Sequence, residues 1–462
     1  MKRHSIQHLY LRAGFGISKS KLDNLASHSK AEVVEQLFAN SRKLEPLKID
    51  LSEFEEFLNS PKSEHPKPTP AEKQAFRKKS RQKIKELNNA WIDRLIDTDS
   101  VLGEKMTLFW SNVFVCKDKT VWHFQQYNNT LREHALGNLR TFVKAISKEP
   151  SMIKYLNNKQ NVKDSPNENF ARELMELFTL GEGNYTEEDI HNSARAFTGY
   201  SFRKDGSFRL IKKKHDEGIK TFMGKSGNFD GDDIIDIILE QKACARFICK
   251  KVYRYFVNDK IDEKHIDELT EFFYRHYDIK KLMHHIFISD WFYSPENIGV
   301  KIKSPIELLV GIQRSVDVKF EKPKQRIFIQ KMMGQTLLDP PNVAGWKGGK
   351  NWIDSNTMMF RLKLASILLY HNEIELIAKG EFDDSFDDYY MENKKGKQKI
   401  KTLVNWNQFD NEFASLDLEG MQDQLINCEI SPETKSFLSK LSVSNHRAYC
   451  VQLMSIPEYQ LC

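Results

Sequence analysis

Between Asp164 and Tyr200 the chain reads DSPNENFARELMELFTLGEGNYTEEDIHNSARAFTGY, an apolar run of helical period with amides, carboxylates and an arginine beside it. With Phe170 as origin and ~100° per residue, Leu174, Leu177 and Phe178 fall on one stripe, and Asn169, Arg172, Glu173 and Glu176 share the adjoining arc. The spacing predicts a helix from Pro166 to Leu180. Glu173 borders the apolar stripe, so a carboxylate comes to the edge of a core, where it needs a cation such as Arg172 or a shifted pKa.

The rest of the chain has the same character. Among 462 residues there are 30 Phe but only 21 Gly and 14 Pro, a balance that points to a mainly α protein rather than a disordered or all-β one. The reading is a single large multi-helical domain with a small β-hairpin insertion near 200–224. Along it run an N-terminal helical segment (1–60), a basic linker and helix (61–98), a helical core (99–375), a charged flexible excursion (376–402) and a C-terminal helical cap (403–462). Within the core the helices expected are Leu102 to Phe114, Asn128 to Ser147, Pro166 to Leu180 and Glu187 to Phe197, then 245–257, 265–276, 280–288 and 305–316. The hairpin is read from the alternation in SFRKDGSFRL and its Asp205-Gly206 turn. Asp339 to Asp354 is too rich in Pro and Gly for regular structure.

The net charge of +6 is local: residues 62–85 hold nine Lys and Arg against two Glu, and the remainder is close to neutral. Such a balance does not indicate a nucleic-acid cleft. The six cysteines are scattered without metal-ligand spacing and read as core or surface thiols, with no disulfide deducible. No apolar run reaches 18 residues, so no spanning helix is expected. The N-terminus lacks an apolar leader core, and the chain reads as soluble, cytoplasmic as it stands or exported with its leader removed.

Several polar motifs have structural explanations. Ser165-Pro166-Asn167-Glu168 and Ser304-Pro305-Ile306-Glu307 each match a capping box with proline at the first helical position, as Thr186 and Asp189 do without it. Gly224-Lys225-Ser226 fails as a phosphate-binding loop because Gly218 is one residue too far upstream. Asp230, Asp232 and Asp233 suit a cap and first turn.

What caps do not absorb forms the candidate site. His215 and Asp216 follow the hairpin, and a histidine oriented by an adjacent acid suits general-base work, the ordinary histidine pKa being near ~6.5. Asn169, Arg172, Glu173 and Glu176 read either as an internal polar network in which Arg172 neutralises a carboxylate and Asn169 bonds a neighbouring loop, or as a ligand or oxygen-rich metal site in which Glu173 and Glu176, three apart, face one divalent cation. The catalytic candidates are thus His215, Asp216, Glu173 and Glu176, with Asn169 and Arg172 as ligand-binding residues. Trp346 and Trp352, flanking Gly348-Gly349, are either sugar-stacking indoles or plugs that pin the loop to a core.

Taken together, HLYLRAGFG (8–16), EKMTLFWSNVF (104–114), SPNENFARELMELFTLGEGNYTEEDIHNSARAFTGY (165–200), HDEGIKTFMGKSGNFDGDDIIDIIL (215–239), SDWFYSPENIGVKIKSPIELLVG (289–311) and GQTLLDPPNVAGWKGGKNWI (334–353) resemble the bacterial family called domain of unknown function 1800. The resemblance carries no activity. It implies a single domain, a sulfatase-like partner protein through gene neighbourhood, and shared polar positions at Asn167, Glu168, Asn169, Arg172, Glu173, Glu176, Arg195, His215 and Asp216. Two readings follow. One is a hydrolase or lyase with His215 as base, Glu173 as acid or metal ligand and Arg172 as anion clamp. The other is a non-catalytic binding or assembly protein for a polysaccharide or partner protein, acting through the Trp346–Trp352 loop.

Overall fold

The computed structural model describes residues 1–42, 44–59, 69–371, 400–441 and 445–462. The protein is mainly α, with three two-stranded antiparallel sheets among the described residues. No helix there is long and apolar enough to cross a membrane. The charged stretch from Glu381 to Lys399 and the prolines of the 60–68 linker lie outside the described residues.

Two compact units emerge, both discontinuous in sequence: Met1–Val33 with Tyr293–Leu337 and Lys347–Cys462, and Val34–Phe292 with Leu338–Trp346. These boundaries divide the 1–60 and 99–375 segments read from the sequence. In the first unit, helices Pro305–Ser315, Ser355–Tyr370 and His446–Met454 enclose a core that includes Leu309, Ile312, Leu364, Leu368, Cys450 and Leu453. Here β5 (Asp317–Phe320) pairs with β6 (Thr402–Asn405), Val318 opposite Val404. The expected Ser304–Glu307 capping box is present.

The second unit carries the candidate site. Its core is aromatic: Trp110 stacks on Phe114 at 5.4 Å, and Phe114 meets Phe142 at 4.9 Å and Phe178 at 5.7 Å. Glu104 and Arg132, both fully buried, form a two-pronged pair at 2.7 and 3.2 Å, with the Trp91 indole donating to the same carboxylate. The basic helix spans Pro70–Asp97 behind a Thr69–Glu72 capping box. The single helix expected over Asn128–Ser147 is instead two, Val121–Glu133 and Leu139–Lys148, because the Asn138 side chain accepts the Arg140 amide and starts a new helix.

The expected hairpin forms from β1 (Tyr200–Phe202) and β2 (Phe208–Leu210), turning at Asp205-Gly206. A second follows, β3 (Lys220–Phe222) with β4 (Lys225–Gly227). Met223 and Gly224 at its tip have φ of 47° and 79°, the left-handed pair that a tight two-residue hairpin requires. Gly224-Lys225-Ser226 therefore belongs to a hairpin turn. The box at Asp230 and Asp233 opens helix Gly231–Leu239 as expected. All six cysteines are free thiols.

Candidate functional site

The motif helix departs from its sequence reading at both ends. It opens at Asn169, not Pro166, and the Ser165–Glu168 box does not form. Ser165 bridges back to Val162, while Asn161 Oδ1 accepts the Asn167 amide and Asn167 Oδ1 accepts that of Asn169. Glu168 is thereby released from capping. After Glu173 the α-helix widens into a π-helical turn over Leu174–Thr179, in which the Leu180 amide reaches Met175 O at 2.8 Å. The wider turn moves the apolar face. Residues 170–171, 174–175 and 178–179 are buried as doublets repeating every four, and Leu177 is left only half-buried.

Glu168 and Arg172 turn to the helix Glu187–Ala196, which the Thr186–Asp189 box initiates. Along that helix Glu187, His191 and Arg195 recur every four residues, and Thr198 lies just beyond its end. Each holds a polar partner from elsewhere. Arg172 donates to both Glu187 oxygens at 3.0 and 2.8 Å and to Glu168 at 3.3 Å. His191 Nδ1 lies 3.4 Å from Glu168. Arg195 Nε reaches Asp216 at 2.7 Å, and Asp216 also accepts the Gly218 amide at 2.8 Å. Burial pushes the Asp216 carboxyl up, but the bonds from Arg195 and Gly218 outweigh it and hold the pKa below its ordinary value. At 1.5 Å per residue this row extends roughly 16 Å.

Two expected roles are corrected. Asp216 does not orient His215, because Arg195 and Gly218 occupy it. The Thr198 carbonyl does so instead, 2.8 Å from His215 Nδ1, and a carbonyl can only accept, so Nδ1 carries a proton and Nε2 is the ring nitrogen left outside this bond. Arg172 is also no clamp waiting for an anion, since two carboxylates already hold it.

Glu173 and Glu176 belong to a separate group. Glu176 accepts from the Tyr185 hydroxyl at 3.0 Å. Burial, then the Glu176 charge, raise the Glu173 pKa against the opposing effect of Arg172. Neither glutamate makes a hydrogen bond or ion pair with His215. Among the described residues no group of three or more His, Cys, Asp or Glu is arranged to hold a metal ion, so the divalent-cation reading rests on two carboxylates, one of them engaged by Tyr185. Asn169 is exposed at the helix start. Trp346 and Trp352 are each only 8% exposed; the backbone of Trp346 is clamped by Asn112, which donates to its carbonyl at 3.0 Å and accepts its amide at 2.8 Å. These indoles are plugs and present no stacking face.

A second group of displaced charges carries no sequence motif. Asp118 accepts from Ser151 Oγ at 2.7 Å and pairs with Lys154, whose ammonium also lies 2.9 Å from His123 Nδ1. An ammonium can only donate, so His123 accepts at Nδ1 and is neutral; burial, then Lys154, push its pKa down to about 4. Burial likewise lowers that of Lys154, against Asp118. Nearby Glu149, 6% exposed, takes the Thr130 hydroxyl at 2.6 Å on one oxygen, while its Oε2 is buried with no hydrogen-bond partner. Burial drives its pKa up to about 7. In sequence these residues are spread over CKDKTVWH and KEPSMIK, and no spacing pattern marks them.

The whole pattern, from the helix pair to the loop at Trp346, is matched by one family model, described as a protein of unknown function (DUF1800), over residues 8–461. The chain belongs to this family. No curated protein and no solved structure matches it.

Proposed function

We propose that this DUF1800 protein is an enzyme of the hydrolase or lyase type with His215 as its general base. The observation that carries the reading is the 2.8 Å bond from His215 Nδ1 to the Thr198 carbonyl, which leaves Nε2 with its lone pair on a half-buried imidazole. The same residue is anchored from its neighbour: the Asp216 amide donates to Thr198 Oγ1 at 2.8 Å, so ring and backbone are fixed to one point. Glu173, held above its ordinary pKa, has the character of a proton donor. The burial of both indoles speaks against the alternative of a binding protein acting through the Trp346–Trp352 loop.

The test is a comparison of wild type with His215→Ala on a panel of glycoside, ester and uronate substrates. A loss of at least about a hundredfold in kcat/KM for one substrate class is expected. Equal activity of the two proteins, or none across the panel, overturns the reading.

A further inference from the structure

Residues 203–214, the β1–β2 hairpin and the turn after it, hold six Lys and Arg against the single Asp205. Arg203, Arg209, Lys212, Lys213 and Lys214 are exposed, and none of them makes an ion pair with a carboxylate among the described residues. Lys163 joins them through its amide, which bonds Lys214 O at 2.9 Å, and Lys159 Nζ lies 5.0 Å over the Phe202 ring.

This charge continues onto the basic helix. The Lys204 carbonyl accepts from the Trp122 indole at 3.2 Å, and its ammonium sits 3.9 Å over Phe57. Phe57 packs on Phe76 at 4.8 Å, and Phe76 is on the Pro70–Asp97 helix among the exposed Lys73, Arg77 and Lys78. On the same helix Lys79 and Lys83 face Glu53, so the unbalanced charge is on the other residues. Two basic runs separated by more than a hundred residues in sequence thus meet at one aromatic junction. Arg203, Arg209, Lys212, Lys213 and Lys214, which make no ion pair among the described residues, repel one another, and such a cluster gathers a polyanion and releases its counterions, while the exposed Glu55 and Glu56 beside Phe57 limit the excess at the junction itself.

The side chains select among polyanions. Single-stranded nucleic acid is held by bases stacking on open aromatic faces. Of these three rings Phe202 is half-buried against Lys159 and Lys154 and Phe76 against Trp122, and Phe57, with Lys204 over one face, is 39% exposed, so a single open ring and not a row of stacking faces is present. The cations are mostly lysines, point charges suited to spaced carboxylates or sulfates rather than to two-pronged phosphate recognition. Lys214 is followed directly by His215. We infer that this surface docks an acidic polysaccharide and, resting on the enzyme reading above, that this polymer is the substrate class of the His215 site.

The test measures binding of the full chain to polygalacturonate, heparin, neutral dextran, poly-dT and phosphatidylglycerol vesicles at two salt concentrations. The probe variant is Lys212→Gln/Lys213→Gln/Lys214→Gln, with its Tm recorded. Expected is salt-sensitive binding of an acidic polysaccharide, weakened about tenfold or more in the variant at unchanged Tm. Binding no tighter than to dextran, tighter binding of poly-dT or vesicles, or an unaltered affinity in the variant overturns the inference. The two readings separate cleanly. Polysaccharide binding without His215-dependent turnover sinks the enzyme and the substrate assignment that rests on it but leaves the docking surface, and His215-dependent turnover of a neutral substrate without polyanion binding sinks the docking surface but leaves the enzyme.

Discussion

Two polar regions of the same unit contrast in how their charges are settled. Along helix Glu187–Ala196 every group contributed by the motifs has a partner, and the members are partly exposed: Arg172 with Glu168 and Glu187, Arg195 with Asp216. Around Asp118 the carboxylates and the imidazole are largely buried, the partly exposed Lys154 ammonium faces that imidazole, and one carboxylate oxygen of Glu149 has no partner. The first region holds its charges at little cost because water and opposite charge share the work. The second keeps protonation states away from their ordinary values, which is how sites prepare proton transfer and also how interiors accommodate an awkward residue.

Removing charges from the two regions sharpens the contrast. Asp118→Ala removes the carboxylate that holds Lys154, whose side chain is 27% exposed, and a loss of about 1–3 kcal/mol is expected in urea unfolding, between the ranges for surface and buried pairs. A cost below about 1 kcal/mol would mean that water reaches the cluster and that it resembles the surface row after all.

Glu149→Gln tests the same region through pH. The folded pKa of about 7 lies above the ordinary 4.5, so the folded state binds the proton more tightly than the unfolded one. Glu149 then costs nothing below about pH 4.5, and its penalty grows as pH rises to about 7, where it is complete. Gln keeps the shape without the charge. The variant should match wild type near pH 4 and be more stable by roughly 1–3 kcal/mol at pH 8. A difference that is constant with pH would show that Glu149 titrates as an exposed acid.

The smallest effect belongs to the surface row. Arg172→Ala removes ion pairs to groups that are 38% and 77% exposed and should cost less than about 1 kcal/mol, less still at high salt. A loss above about 2 kcal/mol would place Arg172 with the buried charges and dissolve the comparison.

Local chemistry was legible wherever a few adjacent residues decide the outcome. The boxes at Thr186, Asp230 and Ser304 and the turn at Asp205-Gly206 form as their residue types require. Where a distant group competes, the local rule yields: Glu168 leaves its cap for Arg172 and His191, and the π-turn after Glu173 moves the buried face off the expected stripe. The candidate site divides in the same way. His215 and Asp216 stood out as a pair, but their partners, Thr198 and Arg195, follow from packing, and Asp118, His123, Glu149 and Lys154 carried no signal at all.

By itself, then, the sequence determined the helical class, the family, the principal caps and the residue types available for chemistry, because these depend on neighbours within a turn or two. Only the tertiary structure decided which charges are buried, which carboxylate meets which cation, and that two remote basic runs share one surface. Desolvation and charge pairing act through distances in space, and residues brought together across a fold leave no period or spacing in the chain.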